Sequence, residues 1–177
     1  MEDSMDQHIQ QLLWNNLNIF TNRLPAPGVL MVCGNGQGRE NIITLGWMTF
    51  GVSWGEPVVT IMVRQSRFSY ELLQQNPQFT LNAMPRGFDD ALRICGSTSG
   101  RYADKFAETG LKKGTPSVVN VPTLKDALIT LECQIVNKLP MSSVGLSDLI
   151  NAKWYKDGDY HECMTAVIRK FEVNLKG

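Results

Sequence analysis

Strand-patterned segments joined by short turns are the feature that most limits what this chain can fold into. The clearest is residues 127–137, in which successive side chains alternate between two faces. One face carries Ile129, Leu131, Cys133 and Ile135. Six or seven such segments follow one another, with helices inserted between some of them instead of alternating with them. This order predicts a mainly β fold with inserted helices, built as an antiparallel barrel.

The expected elements can be placed along the chain by periodicity and by turn residues. The expected strands are residues 29–33, 41–50, 58–63, 78–83, 127–137 and 161–173, and residues 144–155 are a candidate for one more. The expected helices are residues 5–17, 68–75, 91–94 and a short one before Gly110. Residues 1–24 form an N-terminal helical extension, and residues 1–177 are expected to be a single domain.

Composition excludes several classes of function. The chain has 177 residues, no net charge and 43% apolar residues, so it lacks the positive field that non-specific nucleic-acid binding requires. No apolar run is long enough for a membrane span, and the acidic N-terminus does not resemble a signal peptide, so we expect a cytoplasmic protein. The four cysteines are far apart, which predicts reduced, partly buried thiols and no metal site.

Three residues that can hydrogen-bond or stack interrupt an apolar strand at residues 41–48. Asn41, Thr44 and Trp47 suit the edge and face of a flat aromatic ligand, although the same residues also occur at the edge or surface of a sheet. Asn82 ends another expected strand, where its amide needs a partner in the backbone or in a ligand.

A second polar group lies where a strand leads into a helix. Arg64, Ser66, Arg67 and Ser69 gather cations and hydroxyl groups at this junction. A helix N-terminus already favours anions, so the group predicts a phosphate site, although surface cations are the alternative. A flat ligand with a phosphate fits flavin mononucleotide (FMN).

A third polar turn, residues 97–106, precedes another short helix. Here Ser99, Gly100 and Lys105 are candidates to close over the ligand, with Lys105 bringing a positive charge near the ring edge. The alternative is an ordinary N-capped helix with a surface ion pair. His161 is interpreted as structural, and no arrangement typical of nucleophilic or acid–base catalysis is present.

In order and spacing, these segments resemble the flavin reductase-like family of the FMN-binding split barrel, especially its flavoredoxin branch. The matching stretches are Pro27-Gly-Val-Leu-Met-Val32, Asn41-x-x-Thr44-x-x-Trp47-Met48, Glu56-Pro57-Val-Val59, Phe79-x-Leu-Asn82, Ser99-Gly-Arg101-x-x-Asp104-Lys-Phe106 and Leu131-Glu-Cys133. The resemblance implies a homodimer that binds FMN near the subunit interface.

Site residues follow from the resemblance by position. Those expected along the flavin ring are Asn41, Thr44, Leu45, Gly46, Trp47 and Met48. Those expected at the phosphate and ribityl end are Arg64, Ser66, Arg67, Phe68 and Ser69, with Asn82, Ser99, Gly100 and Lys105 in addition. The chain departs from the family pattern at Ala166, where members often have glycine, and over residues 140–156.

Three functions remain open from the sequence. The first is an NAD(P)H-dependent flavin reductase, in which the flavin carries electrons from the nicotinamide to an acceptor. The second is a flavoredoxin-type electron carrier that a partner protein reduces. The third is a module that binds a flavin or a haem without catalysis.

Overall fold

Seven antiparallel strands form one sheet in the computed structural model, which describes residues 11–174. The strands are β1 Val29–Gly34, β2 Glu40–Leu45, β3 Met48–Ser53, β4 Glu56–Arg64, β5 Gln78–Ala83, β8 Ile129–Pro140 and β9 His161–Val173, with a separate short pair of β6 Lys113–Gly114 and β7 Thr123–Leu124. The order in the sheet is β2-β1-β5-β8-β9-β4-β3. Strands β2 and β3 thus lie at opposite edges, yet only Gly46 and Trp47 separate them in the chain. Such a short connection requires the sheet to curl until its two edges meet, as in a barrel.

Short helices fill the connections between strands. They are α1 Asn18–Thr21, α2 Phe68–Gln75, α3 Asp89–Ser97, α4 Lys105–Thr109 and α5 Asp148–Trp154, with a 3-10 turn at Ser143–Gly145. Residues 11–16 are also helical, whereas the start of the expected helix at residues 5–17 lies outside the described residues. None of the helices in residues 11–174 is long and apolar enough to cross a membrane.

The expected strand over residues 41–50 is wrong as a single element. It ends at Leu45, and a new strand begins at Met48 on the other edge of the sheet. At Gly46 the chain passes so close to the preceding loop that a Cβ atom would lie 2.6 Å from the Pro25 carbonyl oxygen. Glycine is therefore required where the chain leaves one edge of the barrel for the other.

The candidate strand within residues 144–155 is also wrong, because this segment contains the 3-10 turn and helix α5. Ser147 caps the helix by accepting a hydrogen bond from the Ile150 N–H, and Asp148 places a negative charge in the first turn. Both features favour a helix start. The apolar residues of this segment are compatible with a strand, whereas the pair Ser147-Asp148 is a helix-start signal.

Two layers of apolar side chains hold the barrel together. The face of β8 that carries Ile129, Leu131, Cys133 and Ile135 is buried in the larger cluster, as the alternation predicts. A second cluster packs α3 against the outside of the sheet, where Leu92 and Cys95 meet Val32 and Ile42. This packing fixes the position of residues 98–102, which follow α3.

The four cysteines are free, and three of them are buried. Burial raises the pKa of the Cys33 thiol to about 12 and that of Cys95 to about 11. Both thiols are therefore protonated at neutral pH and act as small apolar groups, as expected for buried cysteines.

One buried carboxylate holds a long loop against the sheet. Glu132 in β8 is 2% exposed, and it accepts hydrogen bonds from the backbone N–H groups of Ser117, Val118 and Val119 at 2.6–3.0 Å. These bonds satisfy donors of a segment that otherwise has little secondary structure of its own. Glu132 thus orders the loop from within the barrel wall.

We expect Glu132→Gln to destabilise the protein by about 1.5–3 kcal/mol, because the neutral amide accepts more weakly and directs its own N–H groups at backbone donors. Urea denaturation followed by circular dichroism measures the change. The control is Glu108→Gln, since Glu108 is exposed on α4 and has no side-chain partner among the described residues. Equal stability of the two variants would contradict the role given to Glu132.

Candidate functional site

Two adjoining cavities lie where β2 ends, between the barrel and the turn that follows α3. The first, of about 170 Å³, lies along the chain that leaves β2 and against the end of β4. The second, of about 230 Å³, lies between β2, the start of α2 and residues 95–105. They share Ile43, Arg67 and Gly96. Together they form one elongated depression that a planar group with a side chain could follow.

Most of the residues expected at the site line these cavities, although their part in binding stays a prediction. Those along the first cavity are Thr44, Leu45, Gly46, Trp47, Arg64 and Arg67. Those along the second are Asn41, Ser66, Arg67, Phe68, Ser69, Ser99, Gly100 and Lys105. The sequence thus identified three segments, far apart in the chain, that the fold brings together.

Met48 and Asn82 line neither cavity, which corrects their assignment. Met48 points into the barrel core. Asn82 is fully buried, where its side-chain oxygen accepts a hydrogen bond from the Leu124 N–H at 2.9 Å and its amide donates to Thr80 Oγ1 at 3.0 Å. These hydrogen bonds join Asn82 to β7 and to its own strand, so its amide serves the protein and not a ligand.

A close contact between strand and loop shapes the second cavity. Asn41 Nδ2 donates to Ser69 Oγ at 2.8 Å, which joins β2 to α2 inside the protein. Gly100 packs directly on this amide, so that a Cβ atom there would lie 2.0 Å from Asn41 Oδ1. Glycine is therefore needed at position 100 for the loop to reach β2, and the loop forms one wall of the cavity.

Lys105 has a different position from the one expected. Its ammonium group is buried and donates to the carbonyl oxygens of Ile42 at 2.8 Å and Cys95 at 2.9 Å, so it joins β2 to α3. Burial lowers its pKa. It lines the second cavity, as Asn41 does, and not the first, where Gly46 and Trp47 lie, so its expected place near the ring edge stays a prediction.

The cations around the cavities are committed to different degrees. Arg64 donates to the backbone carbonyl oxygens of Trp154 and Asp159. Arg101 donates to the Ser66 carbonyl oxygen at 2.9 Å and pairs with Glu71. Arg67 lines both cavities, and its side chain has no hydrogen bond or ion pair among residues 11–174. It is the cation most available to an anionic ligand.

The start of α2 adds positive potential to the second cavity. This helix runs over Phe68–Gln75 and has no side-chain cap at Arg67, its N-terminal flanking residue. The first backbone N–H groups of a helix have no partner within the helix, and they carry the positive end of its dipole. Ser69, in the first turn, lines the cavity with them. The terminus and Arg67 together favour an anion.

Sequence reasoning missed His161, which lines the first cavity. Its Nδ1 atom lies 2.7 Å from the Tyr155 hydroxyl oxygen, and its ring lies 5.0 Å from that of Trp47. Burial, with help from the Arg64 cation, lowers the pKa of His161 to about 4, so the ring is neutral at pH 7. The pairing of Arg64 with His161 across β4 and β9 brings it here, and no local signal in the sequence reports that register.

The segment between β8 and β9, which follows no family pattern in the sequence, lies beside Trp47 of the first cavity. The ring of Trp154 meets that of Trp47 edge to face, with 4.8 Å between centroids. Tyr155 and Tyr160 stack at 4.9 Å and hold the end of α5 to the start of β9. Residues 140–160 therefore form a wall beside Trp47.

Comparison with known proteins bears on the family and the fold of this chain. The sequence model described as flavin reductase like domain matches residues 21–162. A flavoredoxin from Methanosarcina acetivorans is a similar solved structure, with a TM-score of 0.67 and 20% identity over 84% of this chain and 69% of that chain. An FMN-binding protein from Thermus thermophilus, solved with bound p-hydroxybenzaldehyde, has a TM-score of 0.65 and 19% identity over 82% of this chain and 70% of that one.

A third similar structure is the NADH:FAD oxidoreductase SgcE6 from Streptomyces globisporus C-1027, with a TM-score of 0.62 and 18% identity over 82% of this chain and 74% of that one. At these identities the structures establish the fold alone. They confirm the predicted mainly β split barrel, and the matched sequence model confirms the predicted resemblance. The chain belongs to the flavin reductase-like domain family.

Proposed function

We propose that this chain binds FMN across the two cavities and is an oxidoreductase that passes electrons from NAD(P)H through the flavin to an acceptor. The observation that carries the proposal is Arg67, an uncommitted cation at the junction of the cavities, beside the uncapped start of α2. Membership of a flavin reductase-like family makes a flavin the natural ligand for this anion site.

The residues present fit FMN in two respects. The second cavity offers Arg67, the hydroxyl groups of Ser69 and Ser99 and free N–H groups of α2, which suits a phosphate and a ribityl chain. The first cavity has backbone at Leu45–Trp47 on one side and Met62–Arg64 on the other, which suits the polar edge and apolar face of a flavin ring.

When bound, the flavin would supply the redox chemistry, accepting a hydride and passing electrons onward. The protein's own residues bind, orient and shield. Arg67 and α2 hold the anionic end, while Trp47 and the neutral His161 border the other end without adding charge. No side chain is required to take up a proton at this site in order for hydride transfer to occur.

A second candidate is an electron carrier that a partner protein reduces. Trp154 packs on Trp47, which lines the first cavity, so its ring lies beside the proposed flavin site and would restrict the approach of a nicotinamide. The same segment exposes Val144 (95%) and Leu149 (76%), which are apolar side chains available to a protein partner.

We also propose that the chain forms a homodimer. Val52 and Trp54, at the end of edge strand β3, are 57% and 69% exposed. Edge strands with exposed apolar residues favour pairing with another chain.

Sedimentation equilibrium is expected to give twice the 19.8 kDa mass of the chain if it is a homodimer. The mass of a single chain would contradict the dimer.

Arg67→Gln is expected to weaken FMN binding by about 1.5–3 kcal/mol, because it removes a charge-assisted contact to the phosphate. Riboflavin, which has no phosphate, should bind the variant and the wild type alike. Fluorescence titration with both flavins measures this, and Arg86→Gln is the control, since Arg86 is exposed away from both cavities. Equal weakening of FMN and riboflavin would contradict the phosphate role.

Anaerobic visible spectra of the FMN-loaded protein separate the two candidates. For a reductase we expect NADH or NADPH to bleach the flavin band. Trp154→Ala should speed bleaching severalfold, because it removes the ring that packs on Trp47 beside the first cavity, whereas Leu149→Ala on the same helix should not. Bleaching by dithionite but by neither nucleotide, in the wild type and in Trp154→Ala, would favour the electron carrier.

A further inference from the structure

A carboxylate of the protein occupies donors at the edge of the proposed phosphate site. Ser66 donates to Asp159 twice, from its backbone N–H to Oδ1 at 3.3 Å and from its hydroxyl to Oδ2 at 2.7 Å. Arg64 Nη1 lies 3.8 Å from the same Oδ2 atom. One N–H, one hydroxyl and one guanidinium thus face a single internal anion.

The position of Ser66 makes this contact relevant to ligand binding. Ser66 lines the second cavity beside Arg67, two residues before α2 begins at Phe68. Hydroxyl and backbone N–H groups in such a turn are typical partners of a phosphate oxygen. In this structure both Ser66 donors are already hydrogen-bonded to Asp159. Only some of the residues that the sequence predicts at the phosphate end are therefore available to a ligand.

The Asp159 side chain is partly exposed, and separate backbone contacts hold its turn in place. Asp159 lies between α5 and β9, and its side chain is 35% exposed. The remaining ties of this turn to residues 64–66 are hydrogen bonds of the Asp159 and Tyr160 carbonyl oxygens with Arg64 and the Gln65 N–H. The carboxylate can therefore leave Ser66 while the backbone of the turn stays attached.

We propose that Asp159 is a specificity-determining residue that weakens the binding of phosphorylated flavin. Its carboxylate competes with the flavin phosphate for the Ser66 donors, and it repels the negative charge of that phosphate across a short distance. The result is a site that discriminates less between FMN and riboflavin and that releases FMN readily. This inference rests on the proposed function, because it concerns the same site.

The test compares Asp159→Asn with the wild type in fluorescence titrations of FMN and of riboflavin. The amide keeps the shape of the side chain but removes its charge. We expect FMN to bind about tenfold more tightly, which corresponds to about 1.4 kcal/mol, and to dissociate more slowly. Riboflavin should change by less than about twofold, since no phosphate is present to sense the charge.

The matched control is Asp157→Asn. Asp157 lies in the same turn, is exposed and has no side-chain hydrogen bond or ion pair within residues 11–174. The Asp157→Asn substitution removes the same charge from the turn and leaves the contact between Asp159 and Ser66 intact. Thermal melting of all three proteins checks that each is folded.

Each result bears on the proposal. Tighter FMN binding in Asp159→Asn alone, with riboflavin unchanged, supports it. Weaker FMN binding, or an equal change for both flavins, overturns it, because Asp159 would then position Arg64 and Ser66 for the ligand. An increase shared by Asp157→Asn also overturns it, since general charge and not the Ser66 contact would be the cause. No binding of either flavin by any of the three proteins overturns the proposed function itself.

Discussion

The two-residue connection at Gly46 and Trp47 is the constraint on which the rest of the structure depends. It joins strands that lie at opposite edges of a seven-stranded sheet, so the sheet has to curl until these edges approach each other. The Pro25 carbonyl oxygen packs where a side chain at position 46 would lie, which leaves room only for glycine. The backbone exposed at this crossing then becomes one wall of the first cavity.

Polar contacts between distant segments complete the site. Asn41 binds Ser69, Lys105 holds β2 to α3, and Gly100 lets its loop approach Asn41. Buried polar groups are stable only when they are hydrogen-bonded, so these contacts also fix where each segment lies. The same rule explains why Lys105, and Asn82 elsewhere, serve the framework, whereas Arg67 is exposed beside both cavities and has no side-chain partner within residues 11–174.

Much of the fold and of the candidate site could be predicted from the sequence. Alternation in residues 127–137 and the turn residues that bound the other segments identified the long strands, because a buried face imposes a period of two. The strand-to-helix junction at residues 64–69, with its cations and hydroxyl groups, predicted a phosphate site. By contrast, the helix at Asp148–Trp154 was misassigned, since its short apolar run is compatible with either a strand or a helix.

By itself, the sequence determined the class of the fold, the family and the three segments that border the cavities, because each depends on local patterning and on residue types close together in the chain. Tertiary structure alone decided which residues of these segments are available to a ligand and which are bonded to the rest of the protein. The register of β4 against β9 brought His161 to the cavity, and the packing of residues 140–160 placed Trp154 on Trp47 and Asp159 on Ser66. These contacts join residues that are far apart in the chain, and side-chain partners at such separations, of which Trp47 and Trp154 are one pair, leave no periodic signal in the sequence.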